Sequence, residues 1–143
     1  MQTNQNQRGF TLVELLAAIT LASLVIVLLG SIHLFAQKQY QVQTESVNHQ
    51  KEVRLAMTSI TQQLRSVTSD QVTFDGSTLT IGDSVYSWDQ NSQNISLNGT
   101  ILAREIAEFD IQKSTEYITV TIQSEENIRG KIADLSSTIS FRE

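Results

Sequence analysis

Between Phe10 and Ala36 the chain carries one formal charge, the carboxylate of Glu14, and one imidazole, His33. A carboxylate inside an apolar helix is costly and normally has a partner. A positive group on a neighbouring subunit meets that need, and a free N-terminal amine is one candidate. Such an amine exists only if the chain is cut just before the helix. Elsewhere the reactive side chains are scattered. Asp70, Asp75, Asp83 and Asp89 offer the oxygen ligands that calcium prefers. They stand five to eight residues apart at turns, where aspartate serves its own backbone, so no metal site is expected. His33 and His49 are sixteen residues apart with no further ligand in a recognisable pattern, and both read as surface or interface residues. There is no cysteine. Neither histidine lies near a Gly-x-Ser-x-Gly turn, and no glycine loop suits a phosphate. The sequence therefore predicts no catalytic residue, no cofactor and no enzyme.

Composition narrows the partners. The chain has 143 residues, a formal net charge of −5 and a pI near 5.0. No dense basic patch appears, so direct nucleic-acid binding is not expected. Hydrophobic residues make up 40% of the chain, and much of that share lies between Phe10 and Ala36. What remains suits one small domain with a thin core and no disulfide to staple it.

The elements follow from periodicity. Residues 1–9 are short and polar, with Arg8 as their only charge. Residues 10–36 are long enough as a helix to span about 40 Å, against about 30 Å of hydrocarbon. They predict one transmembrane helix, with Arg8 holding the N-terminus in the cytoplasm. A secretory signal fits poorly, because the positive charge touches the apolar block directly and the block runs on into more helical sequence. A plain signal anchor explains the hydropathy but not Glu14.

Gly9-Phe10-Thr11-Leu12-Val13-Glu14 and the apolar run behind it resemble the processing site of type IV pilins and pseudopilins. That family has a short leader ending in glycine, then phenylalanine, a glutamate five residues into the mature chain, and about twenty apolar residues. The resemblance implies cleavage between Gly9 and Phe10 by a prepilin peptidase, N-methylation of Phe10, and pairing of Glu14 with the Phe10 amine of an adjacent subunit in assembly. It also implies other pilins or pseudopilins and an inner-membrane assembly platform as partners. Many major pilins carry a proline within this helix. This chain has no proline, and Gly30 is the residue that loosens the helix.

Residues 37–70 continue helically. Val53, Met57, Ile60, Leu64 and Val67 recur at spacings of four, three, four and three, one face of an amphipathic helix. This stripe predicts a helix from Phe10 to about Val67 that packs on a sheet. In residues 71–143 the period becomes two. "VTFDGSTLTIGDSVYSW" reads as three strands with turns at Asp75-Gly76 and Gly82-Asp83. "NISLNGTIL" reads as a hairpin tipped by Asn98-Gly99. "EIAEFDIQ", "EYITVTIQ" and "LSSTISFRE" read as further strands, although 101–107 also permits a helical turn. Asn94 and Asn98 match glycosylation acceptor patterns but are read as turn residues. Trp88 and Tyr86 are read as packing. Glu125, Glu126, Arg129 and Lys131 are read as a solvated loop.

The expected fold is α+β, a long N-terminal helix packed on an antiparallel sheet, type IV pilin-like. Its layout is similar to that of larger minor pilins. The expected function is a minor pilin or pseudopilin, assembled into an extracytoplasmic filament for competence and DNA uptake, pilus biogenesis or type II secretion. It would start as a single-pass protein of the cytoplasmic membrane and end at the cell surface. The alternative is a membrane-anchored binding module that never assembles.

Overall fold

The structure, a computed structural model, describes residues 10–141. They form two compact units that divide between Gln41 and Val42. Helix α1, Leu12–Leu64, enters both units. In the first unit residues 10–38 are all exposed. In the second, Val53, Ala56, Met57, Ile60 and Leu64 of α1 are buried. The stripe read from the spacing is thus the core face. The helix stops at Leu64, short of Val67. Ser66 folds back there, its N–H and hydroxyl both donating to the Gln63 carbonyl (3.0 and 2.7 Å). β-Branched Val67 and Thr68 follow, and both disfavour a further helical turn.

Eight strands follow a short 3₁₀ turn at Ser69–Gln71: β1 Val72–Phe74, β2 Thr78–Ile81, β3 Ser84–Asp89, β4 Asn94–Leu97, β5 Thr100–Ala103, β6 Ile106–Lys113, β7 Tyr117–Ser124 and β8 Asp134–Ser140. All pairings are antiparallel between sequential strands. The turn residues do what their types allow. Asp75 Oδ1 accepts the Thr78 N–H at 2.8 Å. Asn98 and Gly99 both have positive φ, 50° and 83°, the backbone a two-residue hairpin turn demands.

The meander is divided where a single sheet was expected. β1–β5 form one sheet and β6–β8 another. The break falls at Arg104-Glu105, where Glu105 takes a left-handed φ of 59°. That conformation ends the pleat, so β6 starts afresh and pairs with β7. The helical turn considered for 101–107 does not form.

One hydrophobic cluster serves both sheets and the helix. Phe74 of β1 and Phe109 of β6 meet edge to face, centroids 6.2 Å apart, a favourable aromatic geometry. The Lys113 ammonium donates to the carbonyls of Ser69 and Val72 and so ties β6 to the start of β1. His49 corrects the surface reading. It is buried, and its Nε2 lies 3.3 Å from Glu105 Oε2. Beside it, Glu52 accepts the Arg104 N–H (2.9 Å) and Glu45 accepts the Ile128 N–H (3.1 Å). The charged loop expected at 124–131 is therefore moored to α1. Buried Asn127 also organises it, accepting N–H bonds from Arg129 and Lys131.

Two outcomes test this core. Ile60→Ala, at a fully buried site, should lower stability by about 2–5 kcal/mol in denaturant titration of the detergent-solubilised chain. Burial pushes the Tyr86 phenol above its usual pKa, against a hydrogen bond with Ser59 (2.9 Å). A raised folded pKa means stability that is whole below about pH 10 and falls as pH rises past it. Tyr86→Phe should cost about 1 kcal/mol at neutral pH and should flatten the alkaline loss. An unchanged alkaline slope would contradict that account.

Candidate functional site

The candidate site is the start of α1. Thr11 stands just before the first helical residue and Glu14 is third within the helix. The first N–H groups of any helix lack partners, and a Thr-x-x-Glu sequence can satisfy them reciprocally. It does so here. The Thr11 backbone N–H donates to Glu14 Oε2 at 3.0 Å, and the Thr11 hydroxyl donates to the same oxygen at 2.9 Å. The Glu14 N–H donates back to Thr11 Oγ1 at 3.3 Å. A negative charge in the first turn also suits the helix dipole. Among the described residues the carboxylate thus has two donors, both on Thr11, and no cation.

Phe10 lies one residue before this cap, with 83% of its surface exposed. Gly9, the expected cleavage residue, and Arg8, the expected cytoplasmic charge, lie outside the described residues. Sequence reading missed Thr11. The signal was available as Thr11-x-x-Glu14 ahead of an apolar run, the usual mark of a helix start.

Behind the cap, the hydroxyls of the apolar stretch need no water. Thr20 donates to the Ala17 carbonyl (2.9 Å), Ser23 to Thr20 (2.8 Å) and Ser31 to Val27 (2.9 Å). Such back-bonding lets polar side chains sit in a medium without donors. The helix passes through Gly30 without interruption. By length and composition α1 can cross a membrane, and none of its most apolar window is buried within the chain.

The other candidate residues do not converge. Among the described residues no group of His, Asp and Glu side chains can hold a metal ion. Asp70 accepts from the Thr68 hydroxyl. Asp89 accepts from the Asn91 N–H and the Ser92 hydroxyl (2.9 and 2.7 Å). The Thr68 hydroxyl bond lowers the Asp70 pKa, and that from Ser92 lowers the Asp89 pKa. His33 pairs with Gln37 (2.9 Å) on its own helix. The Trp88 indole donates to the Ile106 carbonyl at 3.0 Å and packs against the core. Asn98 Oδ1 accepts the Val85 N–H at 2.8 Å, so Asn98 ties the tip of its hairpin to β3.

An apolar stretch, exposed over residues 10–38 and closed at its start by its own glutamate, suggests a membrane anchor. Residues 4–30 match the family described as the prokaryotic N-terminal methylation motif. This is the signature of type IV pilins and pseudopilins, and the helix-on-antiparallel-sheet layout is consistent with the type IV pilin fold. The motif, over residues 4–30, supports a pilin-type precursor. No curated protein and no solved structure matches the chain.

The cap makes its own prediction. Thr11→Val should speed amide exchange at Glu14 in detergent micelles by roughly fivefold, the effect of losing an N-cap. Thr11→Ser should restore the slow rate. Equal rates in all three chains would mean that the hydroxyl does no capping.

Proposed function

We propose that this chain is a minor pilin or pseudopilin of a type IV pilus-like filament, serving competence and DNA uptake, pilus biogenesis or type II secretion. The observation that carries the proposal is the methylation motif over residues 4–30, with Glu14 presented at an exposed helix start. The precursor inserts with its leader in the cytoplasm and its sheets outside. Prepilin peptidase cuts between Gly9 and Phe10 and methylates the new amine. Until then the anion is held by Thr11. In assembly the Phe10 amine of an adjacent subunit competes for it and supplies the charge that Thr11 lacks. Leu12 to Leu29 then exchange lipid contacts for protein contacts, which costs little because both surroundings are apolar. The second unit ends up on the filament surface or its tip.

Intact mass of the membrane-extracted protein is the first test. Loss of Met1 to Gly9, with or without one added methyl, is expected in cells that carry the peptidase. A retained leader there would leave a membrane-anchored binding module instead. The second test separates anchoring from assembly. Glu14→Ala should still be found in the membrane yet be lost from sheared filament fractions. Normal recovery of that variant in filaments would overturn the role given to Glu14.

A further inference from the structure

The turn between β7 and β8 carries acceptors for its own amides. The Asn127 N–H donates to the Lys131 carbonyl (2.9 Å), and the Gly130 N–H donates to the Asn127 carbonyl (2.8 Å). Buried Asn127 presents Oδ1 to the N–H groups of Arg129 and Lys131 (2.9 and 3.0 Å). The Ile128 N–H reaches Glu45 Oε2 on α1 (3.1 Å). Every amide from Asn127 to Lys131 thus has an acceptor within the chain. A turn that stays in water can leave such groups to the solvent. A turn that leaves water must satisfy them first, because an unpaired amide is costly in an apolar medium.

The side chains agree with the backbone. Ile128 and Ile132 are 59% and 46% exposed. The other exposed large apolar side chains of the second unit, Val47, Leu55, Val85, Ile101 and Tyr117, lie on α1 or on strands. Among the described residues of that unit, this is the loop that shows two. Arg129 and Lys131 lie between the isoleucines and are exposed. Their aliphatic stems can hold the charges at a headgroup layer while the isoleucines go deeper. Net charge does not draw the turn there. Glu125, Glu126 and Asp134 outnumber the two cations, and Glu126 Oε2 lies 3.7 Å from where a Cβ on Gly130 would stand. What remains is aliphatic burial, which needs no anionic lipid.

The tether points to the surface that covers the isoleucines. Glu45, which holds the turn, stands nine residues after Ala36, the end of the apolar stretch. Covalent length alone keeps the Glu45 backbone within about 32 Å of that end, so a headgroup layer is in reach. Two isoleucines are too little to hold a free protein on a bilayer. An anchored one needs far less, because the tether raises the effective concentration. We propose that the 127–132 turn is a second, shallow membrane contact, in which Ile128 and Ile132 enter the interface of a zwitterionic phospholipid bilayer. The proposal rests on residues 10–36 lying in that bilayer, and it is independent of leader cleavage and of filament assembly.

The chain has no cysteine, so one reporter can be placed at a time. Lys131→Cys carries a fluorophore between the two isoleucines and leaves both in place. Leu24→Cys carries the same fluorophore in the apolar stretch. Each full chain is reconstituted in phosphatidylcholine nanodiscs containing nitroxide-labelled lipid. Both reporters should be quenched. Adding Ile128→Ser and Ile132→Ser should cut the quenching at 131 by about fivefold or more, and Ile128→Ser alone by about half, as aliphatic burial is removed. Quenching should hold between about 0.05 and 0.5 M salt, over which the screening length shortens about threefold. Quenching at 24 without quenching at 131 would overturn the proposal, keep the anchor, and leave the isoleucines to a protein partner. Quenching at neither position would remove the anchor and the proposal together. Quenching at 131 that survives the serine variants, or that requires anionic lipid or low salt, would also sink it.

Discussion

Glu14 stands where two deficits meet. An apolar surrounding gives a carboxylate no donors, and a helix start leaves N–H groups without acceptors. The Thr11–Glu14 exchange of hydrogen bonds removes both at once. What it leaves over is charge. Thr11 offers two dipoles and no cation, so a cation brought near retains a purely electrostatic advantage, large where the dielectric is low. A carboxylate that is hydrogen-bonded but not neutralised is stable enough to wait and still open to a better partner. Behind it the next carboxylate in sequence is Glu45, and Thr20, Ser23 and Ser31 bond within the helix, so no other carboxylate of the apolar stretch competes for that cation.

The same helix solves the opposite problem beyond Val42. There the apolar residues narrow to a stripe, and Val53, Met57, Ile60 and Leu64 go under two sheets. Two sheets cover one helical stripe because the chain turns sharply at Glu105. A left-handed φ on a non-glycine residue costs energy, and the local bonds show what holds it. Glu105 faces buried His49, and its carbonyl accepts the Glu125 N–H at 2.8 Å. The preceding Arg104 N–H goes to Glu52. The bend is fixed from the helix side, so the angle between the sheets is set by α1 as much as by the strands.

Most of this was legible in the residues. The four-three-four-three stripe marked the core face, and Asp-Gly, Gly-Asp and Asn-Gly marked the hairpins. The period-two runs gave every strand from β1 to β8. The division into two sheets was not legible, because Glu105 carries no local sign of positive φ; glycine or asparagine would have announced it. The burial of His49 was hidden for a related reason. It lies off the apolar stripe by type, and only its long-range meeting with Glu105 explains it. Thr11 was legible by pattern but overshadowed by the charge of Glu14. The mooring of residues 124–131 to α1 rests on Glu45, far away in sequence, where spacing carries no information.

The acidic balance also has a local explanation. Glu14, Glu45, Glu52, Asp75 and Asp89 each accept a backbone N–H from a helix start, a loop or a turn. Carboxylate–amide bonds are among the stronger hydrogen bonds. A small domain without cysteine or proline has few other means of fixing its turns. These carboxylates are then structural acceptors before they are a field, and a net charge of −5 does not by itself imply a cationic ligand.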